Sequence, residues 1–148
     1  MRRKKHAYPL DLLEVTIDSK EPIILGKGKN ETSDDVFDYT SASCLNVTAT
    51  FRNKSDCFPE NIFFDVISEN RDHNSYAQKC HVKKVFNHYR FKQIAISKKF
   101  IDFRFDNASH FISEEFAFFI LKTVPTIFQH FERIGFFLFP QDMEKHQR

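Results

Sequence analysis

The sequence predicts an α+β fold, in which a largely antiparallel sheet packs against a C-terminal buried helix or a kinked helical hairpin on one face. Three observations indicate this. Several segments before residue 106 alternate apolar and polar residues, as half-buried strands do. After residue 113 the chain becomes apolar almost all round, which is typical of a buried helix. A short apolar run after Gly135 then predicts a final strand.

The first half of the chain carries most of the strand signals. Residues 10–17 predict a strand, Pro22 interrupts the pattern, and residues 23–25 predict a second, short strand. The clearest alternation lies in residues 44–53, where every second residue is polar. Residues 62–67 are richer in apolar side chains and predict a more central strand.

The middle of the chain is harder to assign. Residues 79–92 fit both a helical stripe and a strand face, so the pattern leaves the two alternatives open. Residues 93–106 alternate more regularly and predict strand structure, with Lys98 and Lys99 at a hairpin turn or a bulge.

The C-terminal third changes to a helical period. Ser113 is a good N-cap, and the two glutamates that follow it suit the positive end of a helix dipole. Pro125 is expected to end or kink this helix. Thr126 then predicts the start of a second short helix, with Gly135 at its C-terminus and residues 136–139 as the last strand.

The composition predicts one domain, spanning residues 1–148, with residues 1–8 as a flexible basic arm. The chain contains 19 Phe and no Trp, which predicts a core rich in phenylalanine. Nine residues are expected to be mostly buried: Val47, Phe51, Phe64, Val66, Ile101, Phe103, Phe116, Phe119 and Ile120. Truncating one of these rings, as in Phe119→Ala, is expected to cost about 3–5 kcal/mol.

Several functional classes find no support in the sequence. No apolar segment approaches the roughly eighteen residues of a membrane span, and no apolar run follows the first basic residues as in a signal peptide. We therefore expect a soluble, cytoplasmic protein with three free cysteines. The His and Cys residues lack the spacing of a zinc site, and Cys80 and His81 would point to opposite faces of a strand. The sequence thus predicts no metal and no cofactor.

The charge distribution is the feature that points to a partner. Residues 79–104 hold eight basic residues and one acidic residue, hence +7, whereas the whole chain carries +2 and the remainder therefore −5. Segregated charge of this kind steers association with a partner of opposite charge. The predicted partner-binding residues are Lys83, Lys84, Arg90, Lys92, Lys98 and Lys99. Because the global charge is nearly neutral, an acidic protein is favoured over nucleic acid as the partner.

The sequence therefore favours a non-catalytic binding or regulatory protein that engages an acidic partner through a basic face. Two other classes stay open. One is a small metal-dependent hydrolase, such as a nuclease, with a site assembled from distant residues; Asp11 and Asp18 are candidate ligands, but a strand would hold them far apart. The other is a structural or assembly subunit, and the sequence is compatible with a homo-oligomer.

Overall fold

The computed structural model describes residues 7–24, 41–68, 75–105 and 114–138. These residues form five strands: β1 (Leu12–Ile24), β2 (Ser41–Phe51), β3 (Glu60–Ser68), β4 (Phe100–Phe105) and β5 (Arg133–Leu138). The same residues form three helices: α1 (Ser75–Phe86), α2 (Tyr89–Ile96) and α3 (Glu114–Ile127).

The five described strands form one sheet in the order β3-β2-β1-β4-β5. The β1–β2 and β2–β3 pairs are antiparallel, and the β1–β4 and β4–β5 pairs are parallel. The antiparallel ladders are the longer ones, so the sheet is mostly antiparallel, and the predicted α+β fold is confirmed. The parallel pairing of β4 with β5 is compatible with the connection between them, because parallel neighbours need a long crossover, usually one that contains a helix.

All three helices pack on one face of this sheet. Phe86 of α1 contacts the ring of Phe103, and Phe116 of α3 contacts the ring of Phe105. Phe91 of α2 lies against Phe64 of β3 and, on its other side, against Phe86. The alternate strand residues that face the helices are buried on β1, β2 and β4 and at least partly buried on β3 and β5, and the predicted phenylalanine-rich core is present.

The predicted core residues are mostly buried in the structure. Seven are fully buried: Val47, Phe51, Phe64, Ile101, Phe103, Phe116 and Ile120. Val66 and Phe119 are half-buried and pack against this cluster from its margin. The expected cost of Phe119→Ala is correspondingly smaller, and Phe116 is the better position at which to test the core.

The two strands predicted for residues 10–17 and 23–25 are in fact one strand. Residues 12–24 all belong to β1, and the pairing with β2 shifts register between Lys20 and Ile23. Pro22 lies at this irregularity, where a missing N–H costs the ladder little. The proline therefore bends the ladder without ending the strand.

The strand predicted from residue 93 onward was wrong over its first part. Residues 89–96 form α2, in which Phe91, Ile94 and Ala95 are buried at positions i, i+3 and i+4. Ile96 is exposed, so its alternation with Ile94 does not reflect a strand face. The ambiguous segment 79–92 is likewise helical, divided between α1 and α2.

The C-terminal region contains one helix within the described residues. α3 begins at Glu114, as the N-cap signal at Ser113 predicted, and it continues through Pro125 to Ile127. The second helix predicted after Thr126 was wrong, since the chain passes from Ile127 through an irregular stretch to β5. Gly135 lies in β5, where a Cβ would collide with Oδ1 of Asp102.

The N-terminal arm predicted for residues 1–8 lies largely outside the described residues. Its last residue, Tyr8, is described, and the Tyr8 hydroxyl donates to the Glu14 carboxylate and, at 3.3 Å, to the Thr50 carbonyl. The Tyr8 carbonyl in turn accepts from Nε of Arg52 at 2.7 Å. Burial and the Glu14 carboxylate raise the pKa of the Tyr8 phenol. None of the described helices has the length and apolar character that crossing a membrane requires.

Candidate functional site

A groove of about 550 Å³ lies between β3 and the junction of α1 with α2. Its floor is apolar, and its helical rim carries the aromatic and basic side chains. The lining residues from β3 are Ile62, Phe63, Phe64, Asp65 and Val66, and those from the helices are Lys84, Val85, His88, Tyr89 and Arg90. The groove therefore joins an apolar surface to a cationic edge.

The α1–α2 junction fixes the aromatic part of the rim. Nδ1 of His88 accepts from the backbone N–H of Arg90 at 3.1 Å, so His88 is the N-cap of α2. The His88 ring also meets the ring of Phe64 edge-on at 5.5 Å, which ties the cap to the groove floor. Tyr89 stacks on His88 at 4.8 Å and is 71% exposed. The groove thus presents an aromatic ring to solvent in a fixed position.

The electrostatic character of the helical rim is positive. Lys84 and Arg90 are exposed and flank the groove from α1 and α2. The first turn of α2 contains no acidic residue, so the partial positive charge of its N-terminus is not offset locally. Asp65 is the carboxylate of the lining, and its Oδ1 accepts from Nδ2 of Asn46 at 2.8 Å. The helical side of the groove therefore favours an anionic ligand.

The structure brings two of the six predicted partner-binding residues together. Lys84 and Arg90 line the groove. Lys83 and Lys92 are exposed on the same two helices but do not line it. Lys99 is exposed at the start of β4, where its backbone N–H donates to the Asp11 carbonyl at 2.8 Å.

Lys98 does not contribute to the predicted basic face, because its side chain is buried and the residue is only 5% exposed. Its ammonium donates to the carbonyls of Leu10 and Arg52, both at 2.7 Å, and lies 5.7 Å from the centre of the Phe51 ring. Burial lowers the pKa of Lys98 despite the nearby Asp11 carboxylate. Lys98 thus connects the α2–β4 junction to the residues just before β1 and just after β2. Lys98 is therefore not available to contact a partner from this position.

Outside the groove, a polar cluster lies on the sheet face opposite the helices, and it was not predicted from the sequence. Arg104 pairs with Glu14 at 2.7 Å, and Arg133 pairs more loosely with Asp102 at 3.5 Å. Asp102 is buried and its Oδ1 has no hydrogen-bond partner within the described structure, where it packs over Gly135. The two ion pairs balance the charges of this cluster, so it presents no excess of either sign.

The metal-ligating residue types do not converge in the described ranges. No group of three or more His, Cys, Asp or Glu side chains is placed there to hold an ion. His81 is buried in α1, with Nδ1 unpartnered, and the neighbouring Cys80 is half-buried. Burial, and to a smaller extent Lys84, lowers the pKa of His81.

His88, Tyr89 and Phe64 complete the groove and were not predicted as site residues. The sequence contains no cap signal at His88, because N-caps are usually Ser, Thr, Asp or Asn. The helix and strand alternatives for residues 79–92 were also not resolved, so the α1–α2 junction was not predicted. No protein-family model matches this chain, and no curated protein matches its sequence. The function proposed for this chain therefore rests on the geometry of the groove.

Proposed function

We propose that this chain is a non-catalytic binding protein that engages an acidic protein partner through the groove between β3 and the α1–α2 junction. The observation that carries the proposal is the meeting of Lys84 and Arg90 with an apolar floor in one groove. Charged residues at such a rim select a partner of opposite charge and speed its approach, while the floor supplies apolar contact.

An acidic protein suits this groove better than a nucleic acid does. Ile62, Phe64, Val66 and Val85 supply an apolar surface that phosphate and sugar do not use. The exposed rings of the helical rim are His88 and Tyr89, which stack on each other, whereas nucleic-acid grooves stack successive bases on several rings and follow the backbone with many cations. Two cations beside an apolar floor match a polypeptide with acidic and apolar side chains.

The test compares ligands of opposite charge on matched variants. Fluorescence anisotropy is measured with a glutamate-rich peptide of about twenty residues, a lysine-rich peptide of the same length, and single-stranded DNA of similar charge. Lys84→Glu with Arg90→Glu removes the cations of the groove. Lys83→Glu with Lys92→Glu changes the net charge equally on the same helices but outside the groove, and serves as the control.

We expect the glutamate-rich peptide to bind, and the groove variant to lose about tenfold or more in affinity relative to the control variant. Equal losses in both variants would show that only general charge attracts the peptide, and would refute the groove as the site. Binding of DNA in preference to the acidic peptide, with an affinity that falls steeply with salt, would instead identify nucleic acid as the partner.

A further inference from the structure

The strand that borders the groove is an edge strand of the sheet in the part of the chain that the structure describes. β3 is the terminal strand of the sheet, and within the described residues β2 alone pairs with it. Its nine residues pair with β2 without a register shift and include neither lysine nor proline, and its charged residues are the exposed Glu60 and Asp65. Natural proteins usually block such edges with lysine, proline or bulges, because an open edge is a template for another strand.

The side chains of β3 divide between the two faces of the sheet. Ile62, Phe64 and Val66 face the helices and form the floor of the groove. Phe63 and Ile67 face the opposite side and are 65% and 60% exposed. The edge therefore carries apolar side chains on both faces, with the cationic rim on the helical face alone.

A strand laid along the outer edge of β3 would have the same alternation, because successive side chains point to opposite faces. Its side chains on the helical face would meet Lys84 and Arg90. Its side chains on the other face would meet Phe63 and Ile67. Charge complementarity thus calls for acidic residues at every second position, and the two exposed apolar side chains call for apolar residues at the positions between.

We propose that the acidic partner binds as an extended segment that adds a strand to the outer edge of β3, with acidic and apolar residues in alternation. This inference rests on the proposed function and specifies its ligand. Main-chain hydrogen bonds along β3 would hold the segment, and the two sets of alternate side chains would select it. The acidic side chains on one face of the added strand would then lie in the groove.

The probe is a peptide of about nine residues with alternating glutamate and valine. Two further versions carry N-methyl groups, one on every glutamate nitrogen and the other on every valine nitrogen. One set of these amides must face β3 in an added strand, so one version has to lose the main-chain hydrogen bonds. A lysine–valine peptide of the same length is the charge control.

We expect the parent peptide to bind about tenfold or more tightly than the lysine–valine peptide and than one of the two methylated versions. Amide hydrogen exchange in β3, followed by NMR, should slow about tenfold or more in the complex. Phe63→Ser with Ile67→Ser should weaken binding of the valine-containing probe severalfold, while the exposed Phe118→Ser on α3 leaves it unchanged.

The outcomes separate this inference from the proposed function. If both methylated versions bind like the parent peptide and exchange in β3 is unaltered, strand addition is wrong. If the variant with Lys84→Glu and Arg90→Glu still loses affinity for the glutamate-rich peptide in that case, the groove remains supported as the site for an acidic partner. If the glutamate–valine probe does not bind at all, strand addition is also wrong, and the glutamate-rich peptide then decides the proposed function separately.

Discussion

Replacing Lys98 by methionine tests whether a buried ammonium holds the sheet to the α2–β4 junction. Methionine keeps the unbranched stem beside Phe51 but removes the charge and all three donors. The carbonyls of Leu10 and Arg52, each 2.7 Å from the ammonium, then lose that partner. The neighbouring Lys99 is exposed, so Lys99→Met is a matched control in the adjacent position.

The size of the effect follows from these two hydrogen bonds. A hydrogen bond from a charged donor contributes about 1.5–3 kcal/mol net, and a carbonyl left buried without a partner costs about 1–3 kcal/mol. Methionine avoids the cost of dehydrating the ammonium, which offsets part of the loss. We therefore expect Lys98→Met to lower the free energy of unfolding by about 2–4 kcal/mol, and Lys99→Met to change it by less than about 0.5 kcal/mol.

Urea denaturation followed by far-UV circular dichroism measures both variants. With a urea dependence of about 1–3 kcal/mol per molar, Lys98→Met should move the midpoint down by roughly 1–2 M. A midpoint equal to that of Lys99→Met would refute the reasoning, because it would mean that the two hydrogen bonds do not outweigh the cost of burying the charge. Lys98→Glu should be worse than Lys98→Met, since it places a carboxylate against two carbonyl oxygens.

The remaining predictions concern the core, the polar face and pH. Phe116→Ala should cost about 3–5 kcal/mol in urea melts, whereas Phe118→Ala, at a 61% exposed position, should cost less than about 1 kcal/mol; similar losses would mean that α3 is rotated. Gly135→Ala should cost about 1–3 kcal/mol because its Cβ meets Asp102 Oδ1, and in an Asp102→Ala background the additional cost should shrink; strict additivity would contradict this contact. The pKa of His81 is lowered from 6.5, so the unfolded chain binds this proton more readily and stability should fall as the pH drops through about 6.5. Urea midpoints at about pH 7.5 and 5.5 should therefore differ less in His81→Leu than in the wild type, and an equal difference would exclude this histidine as the cause.

Much of the sheet and core was predictable because period-two alternation directly reports a half-buried strand. Residues 44–51 and 62–67 fall in β2 and β3, although β3 is the edge strand and not the more central strand predicted, and the change of period after residue 113 marks α3 correctly. The parallel pairing of β4 with β5 was also within reach, since a strand, a helix and a strand in succession favour a parallel return. The predicted second helix after Thr126 concealed this signal.

The errors share a physical cause, which is that short patterns do not reveal what lies opposite them. Ile94 and Ile96 alternate with polar residues, yet Ile94 is buried together with Phe91, three residues earlier on the same face of α2, and Ile96 is exposed. Lys98 was predicted to belong to the partner-binding face, because residues 98 and 99 were placed at a hairpin turn or a bulge. Its buried position depends on carbonyls that are distant along the chain, and no local pattern reports them.

The central position of β1 has a consequence for the order in which the chain folds. β2 follows β1 and β3 follows β2 along the chain, so the antiparallel meander closes comparatively short loops. The pairing of Leu12 with Phe100 must instead bring together residues from opposite parts of the chain, at a larger entropic cost. We expect the meander to form first, and β4, α3 and β5 to join it as a second unit. During synthesis, β1 would then keep one edge open until β4 has left the ribosome, which makes this edge the point where folding is completed.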